Sequence, residues 1–361
     1  MRKLRIGVVG CGNISGIYFE NLARFPETEV VTCADLDRDR AREASEKWGI
    51  PRHCETGELL SDPEVDLVLN LTVPSAHFEV SRAALVAGKH VYVEKPLAVE
   101  RAEGEELVRL AQSRSLRIGC APDTVLGAGI QTCRKLIADG AIGAPVGANA
   151  FMLCPGHESW HPSPEFYYRR GGGPMLDMGP YYLSALATLL GPMSSVSAEA
   201  RITRAIRTIE SEPLRGREIR VETPTHITGV IAFARGAIAQ VSTSFDVQRT
   251  TLPCIEVYGE TGTMLVPDPN GFGGPVRVFR KWAEDWEDVA LTHPYSENSR
   301  GLGVAEMAAA IDRGLPHRAS GSFALHVLDA MHAFLESAEA GRRRDLAPFD
   351  DVPPPMPGTG S

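Results

Sequence analysis

The sequence lacks the long apolar runs, paired cysteines and positive charge excess that would each assign it to a narrow class of protein. The apolar run 6–9 ends at glycines, so it is shorter than the ~7–15 residues of a secretory signal, and no run approaches the ~18 residues of a membrane span. The seven cysteines are widely spaced and form no C-x-x-C pair, which argues against a disulfide framework or zinc site and favours a cytoplasmic location. A net charge of −9 argues against nucleic acid or an anionic membrane as a partner.

What is present is the composition of an ordinary globular protein. Hydrophobic residues make up 43% of the 361 residues and charged residues 23%, which excludes a disordered or collagen-like chain. At ~100–200 residues per domain, this length predicts two domains. We place them at 1–122 and 123–346, followed by a flexible tail at 347–361 that contains three consecutive prolines.

Short apolar runs alternate with helical patterns over residues 1–122. Strands are predicted at 5–9, 30–34, 65–71, 90–94 and 117–120, and helices at 11–23, 38–48, 76–87 and 100–114. This alternation predicts an α/β fold, in which a doubly wound parallel sheet of the Rossmann type has helices on both faces.

The pattern changes after residue 122 to strand-like runs with hairpin spacing. Helices are predicted at 127–139, 174–190, 303–313 and 322–341, among runs such as THITGVIAFA, AIAQVSTSFDV and PCIEVYGETGTMLV. We predict an α+β domain with a large, open, mainly antiparallel sheet. Since the helices cover one sheet face, a second subunit is expected on the other, in a homodimer or homotetramer.

A glycine-rich turn lies between the first predicted strand and helix. Gly10-x-Gly12-x-x-Ser15 matches the pattern G-x-G-x-x-G except that the small residue Ser15 replaces the third glycine. Gly10 permits the tight turn, Gly12 lets the backbone approach a pyrophosphate, and the helix start at Asn13 and Ile14 supplies N–H donors. The alternative is an ordinary glycine turn.

Asp35 ends the second predicted strand, 25 residues after Gly10. A carboxylate at this position accepts hydrogen bonds from the adenosine ribose hydroxyls and repels a 2′-phosphate, so NAD is favoured over NADP. Two alternatives stay open: Asp35 caps the following helix, or the nearby Arg38 and Arg40 hold a 2′-phosphate.

Three further side chains are suited to carbonyl chemistry. Lys95, in Glu94-Lys95-Pro96, follows the predicted strand HVYVE, and its ammonium is able to stabilise a developing alkoxide. Asp177 and Tyr181 are four residues apart in GGGPMLDMGPYY and are expected to share a helix face. A shift of the helix start or a kink at Pro180 would change the distance between them. A tyrosine hydroxyl is able to exchange a proton with a substrate oxygen. The alternatives are an N-cap for the aspartate and a core position for the tyrosine.

These motifs together resemble the Gfo/Idh/MocA oxidoreductases, the family of glucose–fructose oxidoreductase and inositol dehydrogenase. The resemblance extends from residue 5 to about residue 341. It depends on the glycine turn at 10–15, the loop NLTVPSAH at 70–77, the tripeptide EKP at 94–96 and the helix GGGPMLDMGPYY at 171–182.

The resemblance implies oxidation or reduction of sugar, cyclitol and diol carbons with NAD(P). It places the catalytic lysine at Lys95, the helix aspartate at Asp177 and the acid/base group, often histidine in the family, at Tyr181. It also implies a cis peptide before Pro96. With the glycine turn, it gives as cofactor-binding residues Gly10, Gly12, Asn13, Ile14, Asp35, Thr72, Pro74, His77, Glu94 and Lys95.

The chain departs from the family at Asp123, where many members have an asparagine–arginine pair nearby. This carboxylate is expected either to bind a substrate hydroxyl or to cap helix 127–139. His157, Trp160 and His161 lie in GHESWHPSPEFYY, where prolines predict a loop, so the two histidines are not expected to bind a metal. Imidazole and indole N–H groups suit sugar hydroxyls, and Trp160 suits the apolar face of a sugar; the alternative is a structural loop.

The sequence therefore predicts an NAD-dependent oxidoreductase that moves a hydride between nicotinamide and a sugar, glycoside or cyclitol carbon. One alternative is a redox-assisted glycosidase or lyase that keeps its NAD bound and returns the hydride. The other is a non-catalytic regulator that binds the nucleotide.

Overall fold

The computed structural model describes residues 3–350 and 352–358, and the chain forms two compact units. The first comprises Met1–Leu126 and Asn298–Leu328, and the second comprises Gly127–Glu297 and Asp329–Ser361. The predicted boundary after residue 122 lies near the first division, but residues 298–328 were placed in the wrong unit. Among the described residues, no helix is both long and apolar enough to cross a membrane.

A six-stranded parallel sheet forms the centre of the first unit. Its strands are β1 (Leu4–Val9), β2 (Thr28–Ala34), β3 (His53–Cys54), β4 (Leu67–Asn70), β5 (His90–Val93) and β6 (Ile118–Cys120). They lie in the order β3-β2-β1-β4-β5-β6, and every neighbouring pair is parallel. This is the order of a doubly wound nucleotide-binding sheet, so the predicted fold class of this unit is confirmed.

Five helices connect these strands, and local sequence explains several of their ends. They are α1 (Ser15–Leu22), α2 (Arg38–Trp48), α3 (Thr56–Ser61), α4 (Pro74–Val86) and α5 (Arg101–Ser113). The Asp37 carboxylate accepts the N–H groups of Asp39 and Arg40 at the start of α2, and Gly49 ends this helix in the left-handed conformation. Strand β4 is fully buried, which explains its continuous apolar run.

The second unit is built on a nine-stranded mixed sheet, with a separate two-stranded hairpin. Its elements are α6 (Ala128–Ala138), β7 (Pro145–Leu153), α7 (Gly173–Leu190), β8 (Met193–Arg201), β9 (Ile206–Thr208), β10 (Glu218–Arg220), β11 (His226–Phe233), β12 (Ile238–Ser244), β13 (Ile255–Gly259), β14 (Gly262–Val266), β15 (Val276–Arg280) and β16 (Glu287–Val289). The chain adds α8 (Leu302–Arg313) to the first unit, and then forms α9 (Gly321–Ala340) and β17 (Arg344–Asp345).

The large sheet has the order β16-β15-β14-β13-β7-β12-β11-β8-β17. Only the β7–β12 pair is parallel among these neighbours, so the predicted mainly antiparallel sheet is confirmed. Helix α7 packs on β7, β11 and β12, and α6 packs on β14 and β15. The opposite face keeps apolar side chains in contact with solvent, and Val230 and Ile238 are 45% and 57% exposed.

Residues 298–328 join the first unit through side-chain contacts. The Asn21 amide of α1 donates to the carbonyls of Asn298 and Arg300, both at 2.9 Å, across 277 and 279 sequence positions. Helix α8 also packs on β6. Periodicity along the chain does not report such distant contacts, which explains the wrong domain assignment.

The predicted tail 347–361 lies partly within the described residues. The Met356 N–H donates to Gln131 Oε1 at 2.9 Å, and the Met356 carbonyl lies 3.2 Å from His293 Nε2. Residues 351 and 359–361 lie outside the described part of the chain. Flexibility of this tail in solution stays a prediction.

Candidate active site

The glycine turn between β1 and α1 has the geometry of a phosphate-binding turn. Gly10 has φ 100°, and a Cβ there would lie 2.7 Å from the Leu71 carbonyl oxygen, so only glycine fits. A Cβ at Gly12 would meet nothing within 4 Å, so its backbone is open to a ligand. Helix α1 has no side-chain cap at Ile14, which leaves the positive end of this helix suited to an anion.

Asp35 is held at the carboxyl end of β2 by backbone groups. Its Oδ2 accepts the Cys11 N–H at 2.8 Å, and its Oδ1 accepts the Asp37 N–H at 2.9 Å. Arg40 Nη1 lies 3.4 Å from Oδ1. Since a carboxylate has about four acceptor positions, Asp35 keeps capacity for ribose hydroxyls. The alternative role of Asp35, as the cap of the next helix, is filled in the structure by Asp37.

The two arginines that were considered for a 2′-phosphate are both in ion pairs. Arg38 contacts Glu55, and Arg40 contacts Asp35 and also Asp37, the latter at 3.6 Å. A 2′-phosphate would have to compete with these carboxylates. The local charge therefore fits NAD better than NADP.

Three exposed apolar side chains surround this edge of the sheet. Ile14 is 37% exposed in the glycine turn, Leu36 is fully exposed after β2, and Val73 is 63% exposed after β4. Apolar groups at the carboxyl ends of these strands suit the flat faces of an adenosine. Sequence analysis missed Leu36 and Val73, although both flank residues that it selected.

The loop after β4 is organised by the buried Asn70. Its Oδ1 accepts the Thr72 N–H at 3.2 Å and the Thr72 hydroxyl at 2.6 Å, and its Nδ2 donates to the His77 carbonyl and Ser81 Oγ at 3.0 Å. Pro74 begins α4. Asn70 thus fixes the shape of the loop that contains three predicted cofactor residues.

His77 lies under this loop and is 1% exposed. Its Nδ1 lies 2.7 Å from the Pro96 carbonyl oxygen, and its Nε2 lies 3.0 Å from the Thr72 carbonyl oxygen. Burial lowers the pKa of His77 below its ordinary value, against smaller opposing effects of these two carbonyls. Sequence analysis predicted that His77 contacts the cofactor. In the structure, its ring links the loop after β4 to the Lys95–Pro96 turn.

Lys95 follows β5 in a turn that is held from both sides. Glu94 Oε1 accepts the Tyr18 hydroxyl at 2.7 Å, and Oε2 accepts the Lys95 N–H at 2.9 Å. Burial raises the pKa of Tyr18 well above its ordinary range, so this hydroxyl stays a donor. The Lys95–Pro96 peptide is cis, as the family resemblance implied.

Asp123 is buried in the first unit and caps α8 rather than the predicted helix 127–139. Its Oδ2 accepts the N–H groups of Gly301 and Gly303 at 2.8 and 3.0 Å, at the start of α8. Helix α6 begins at Ala128, and its N-cap residue Gly127 provides no side-chain cap, so the predicted capping of helix 127–139 by Asp123 is wrong. Burial raises the pKa of Asp123 to about 6, against the opposing effect of these two N–H groups.

Asp177 and Tyr181 lie on one face of α7 in the second unit. The helix is continuous from Gly173 to Leu190 with Pro180 inside it, so the two side chains keep their four-residue spacing. Asp177 is half-buried, and Tyr181 is 7% exposed. Burial raises the pKa of Cys154 at the end of β7, and the Asp177 carboxylate adds to this effect.

The loop that precedes α7 brings His157, Trp160 and His161 into one aromatic cluster. The His157 ring stacks on Tyr167 at 3.7 Å between centroids and meets Phe245 edge-on at 4.6 Å. Trp160 lies 5.5 Å from His157 and 5.4 Å from His161. Its indole is 62% exposed, so an aromatic surface is open to solvent at this loop.

Two family descriptions match the chain, one in each part. Residues 4–121 match the oxidoreductase family with an NAD-binding Rossmann fold, and residues 130–265 match the GFO/IDH/MocA C-terminal domain. Together they cover well over half of the chain.

Two relatives illustrate the range of similarity. The chain is 30% identical over 176 residues to myo-inositol 2-dehydrogenase of Thermotoga maritima, over 48% of this chain and 51% of that protein. It is 27% identical over 268 residues to 1,5-anhydro-D-fructose reductase of Ensifer adhaerens, over 72% of this chain and 75% of that protein. The chain therefore aligns with about half of the first relative and three quarters of the second.

Solved structures show the same fold. Levoglucosan dehydrogenase in complex with NADH and L-sorbose has a TM-score of 0.83 and 20% identity, over 97% of this chain and 100% of that chain. At this identity the likeness establishes the fold and leaves the substrate open.

Proposed function

The chain belongs to the Gfo/Idh/MocA family of NAD-binding oxidoreductases, and we propose that it transfers a hydride between NAD and a CH–OH carbon of a sugar, glycoside or cyclitol. The observation that carries this proposal is the Lys95 turn at the carboxyl end of β5. Glu94 binds the Lys95 N–H, and His77 binds the Pro96 carbonyl, so a cationic side chain is presented from a rigid turn. Ligands bind at this edge of a doubly wound sheet.

The first unit supplies the cofactor site in this proposal. The open backbone at Gly12 and the positive end of α1 suit the pyrophosphate, and Asp35 suits the adenosine ribose. The exposed Leu36 and Val73 suit the base. Asn13 and Thr72 complete the set of predicted contacts, and His77 acts by supporting the loop.

The chemical step is assigned to the three side chains that the family resemblance implies, Lys95, Asp177 and Tyr181. When bound, NAD supplies the nicotinamide carbon that accepts the hydride in the oxidation direction. In this direction Tyr181 acts as phenolate and becomes the neutral phenol when it takes the substrate hydroxyl proton, and the Lys95 ammonium stabilises negative charge on that oxygen. Asp177, one helical turn before Tyr181, orients the hydroxyl groups.

The aromatic cluster of the second unit supplies substrate recognition in this proposal. The exposed Trp160 indole suits the apolar face of a sugar ring, and the imidazoles of His157 and His161 suit its hydroxyl groups. Asp123 is left out of this set because its side chain is 1% exposed and caps α8.

A substrate panel tests this function. Sugars, glycosides and inositols are incubated with NAD, and with NADP in parallel, while NADH or NADPH absorbance is followed. We expect net NADH formation with a polyhydroxylated substrate. Turnover without net NADH and without added cofactor would instead identify the redox-assisted hydrolase or lyase, and NAD binding without turnover across the panel would identify the regulator.

The open sheet face supports a homo-oligomer. Val230 and Ile238 are exposed there although they are apolar, beside the half-buried Phe151 and Leu265. A second copy of this face would remove these side chains from water. Light scattering during gel filtration should give a dimer or tetramer for the native chain and a smaller species for Val230→Asp/Ile238→Asp; a native monomer would refute the proposal.

A cytoplasmic location is supported by the thiol groups. All seven cysteines are free in the structure, and four of them are buried, namely Cys11, Cys33, Cys120 and Cys133. Free thiols are usual in reducing compartments. Fractionation of cells that express the tagged chain tests this location.

A further inference from the structure

A buried ion network lies beside the aromatic cluster and takes no part in the proposed chemistry. Arg207 of β9 has a fully buried side chain, and its Nη1 lies 2.6 Å from Glu158 Oε1. Its Nη2 contacts Oδ1 of Asp246, which lies two residues after the end of β12. Burial acts to raise the pKa of Glu158, but hydrogen bonds from Tyr168 and Arg207 lower it below the ordinary value, so the carboxylate stays charged.

Tyr168 connects this network to the backbone of His157. Its hydroxyl donates to Glu158 Oε2 at 2.5 Å and accepts the His157 N–H at 3.1 Å. The Arg207 guanidinium also lies 4.8 Å from the centre of the Tyr168 ring. The position of the His157 main chain therefore depends on the guanidinium through three hydrogen bonds, by way of Glu158 and Tyr168.

Arg207 also contacts Phe245, the residue that packs on the edge of the His157 ring. Its Nη2 donates to the Phe245 carbonyl at 3.2 Å, and the Phe245 ring meets His157 edge-on. The stacked Tyr167 is the residue before Tyr168, which the guanidinium contacts. Of the rings around the imidazole, Phe245 is thus bound by this buried cation, and Tyr167 is the residue before one that it contacts.

The β9–β10 hairpin that carries Arg207 is tied to the same loop by its connecting residues. The Glu158 carbonyl accepts the N–H groups of Glu210 and Ser211 at 2.9 and 3.0 Å, and Ser211 Oγ donates to the His161 carbonyl at 2.5 Å. A two-stranded hairpin is marginally stable alone, so these contacts couple its stability to the loop.

We propose that Arg207 is a positioning residue that orients His157 for substrate through Tyr168, Glu158 and Phe245. This inference rests on the proposed function, in which the His157 imidazole binds a substrate hydroxyl. The hairpin then serves as the support of the substrate-binding loop.

A double-mutant cycle tests the inference by kinetics. Arg207→Met, His157→Ala and the double variant are compared with the best substrate of the panel, with the active fraction counted by NADH binding. We expect Arg207→Met to raise KM about tenfold or more with a smaller change in kcat, because misplacement of a binding group by about 1 Å is costly. The double variant should be no worse than His157→Ala alone.

A second measurement needs no substrate. Acrylamide quenching of Trp160 is obtained as the difference between each protein and its Trp160→Phe counterpart. Arg207→Met should raise this quenching, and Arg207→Lys should restore it in part, because lysine keeps the charge without the planar fork. Arg318→Met is the matched control, since it breaks a half-buried ion pair with Glu306 in the other unit.

The outcomes separate the inference from the function. Additive effects in the cycle, or loss of thermal stability with unchanged KM and quenching, would show that Arg207 has only a structural role. A panel without any substrate would refute the proposed function, while the quenching result would still decide whether Arg207 orders the loop. If Arg207→Met fails to fold, Tyr168→Phe replaces it, because it removes only the hydroxyl that joins Glu158 to His157.

Discussion

The cofactor region of the first unit and the aromatic loop of the second are held in place by different forces. In the first, Asn70 binds Thr72, and Asp35 binds the Cys11 backbone 24 positions away. In the second, a buried Arg207 binds Glu158 and Asp246, which lie 49 and 39 positions away. The first arrangement tolerates the loss of one contact, whereas removal of one charge from the second leaves another charge buried without its partner.

This difference matters for function because the first region is proposed to bind the cofactor and the second to recognise the substrate. A cofactor site built on backbone groups keeps its shape by the fold itself, since the strand ends position the turn. A substrate loop with little regular structure needs side chains to hold its binding groups in place. The following experiments test both sides of this comparison.

The largest expected effect comes from Tyr181→Phe, which removes the proposed acid/base hydroxyl and keeps the ring. We expect kcat to fall by about 10²–10⁴-fold, with the NAD dissociation constant unchanged. Tyr182→Phe is the matched control from the same helix and should change kcat little. Equal turnover by Tyr181→Phe and the native chain would contradict the acid/base assignment. A weaker NAD affinity in this variant would contradict the proposal that the first unit alone binds the cofactor.

Gly156→Ala should destabilise the second unit through the ion network. Gly156 has φ 100°, and its new Cβ would overlap Glu158 Oε2 and lie 2.5 Å from the Tyr168 hydroxyl. We expect a loss of about 3–5 kcal/mol in the free energy of unfolding, as for other broken buried ion pairs.

Gly236→Ala is the control for this prediction. Gly236 has φ 96°, but a Cβ there would meet nothing within 4 Å, so the variant isolates the cost of the left-handed backbone, about 1–2 kcal/mol. Both are measured by urea unfolding of the purified variants. Equal losses would show that the network contributes nothing beyond backbone strain.

Sequence alone predicted the fold well because its determinants are local. The alternation of strands and helices and the glycine turn both depend on residues within a few positions of one another. The same holds for Asp35 and Lys95, which lie at strand ends, and for the shared face of Asp177 and Tyr181. The two-residue β3 and the short α3 were missed because they are too short for periodicity to detect.

The errors fall where contacts span large distances in sequence. Asp123 caps α8 across 178 and 180 positions, and Arg207 reaches the aromatic loop from a hairpin without a recognisable motif. In both cases the feature that identifies the contact is a charged side chain that is buried, Asp123 or Arg207. Burial of a charged residue is not visible in a window of neighbouring residues, and one sequence does not show which partner it has.

Asp123→Asn tests a buried carboxylate of the first unit that accepts hydrogen bonds from two backbone N–H groups. Burial raises the pKa of Asp123 to about 6, so its contribution to stability is complete below about pH 4 and is lost as the pH rises through 6. Asparagine keeps the acceptor for the Gly301 and Gly303 N–H groups without this cost. We expect the variant to be about 3 kcal/mol more stable than the native chain at pH 8 and equal to it near pH 4.

The measurement for Asp123→Asn is urea unfolding of both proteins between pH 4 and 8. Asp312→Asn, an exposed position on α8, controls for the loss of one negative charge and should follow the native pH profile. Glu94 and Arg300 also act on the Asp123 carboxyl, in opposite directions. Parallel curves for the native chain and Asp123→Asn would show that the buried carboxyl does not set the pH dependence.

Asp35→Ala should give the smallest effect, confined to the cofactor. The loss of charge-assisted hydrogen bonds to ribose should weaken NAD binding by about 10–100-fold while NADP binding changes less. The neighbouring Asp37→Ala removes the cap of α2 and should cost about 1 kcal/mol of stability without changing the ratio of NAD to NADP affinity. Fluorescence titration with NADH and with NADPH measures this affinity ratio in both variants. An unchanged ratio in Asp35→Ala would exclude the ribose contact. Because backbone groups of the first unit hold Asp35, Trp160 quenching should stay native in this variant, which separates the cofactor region from the substrate loop.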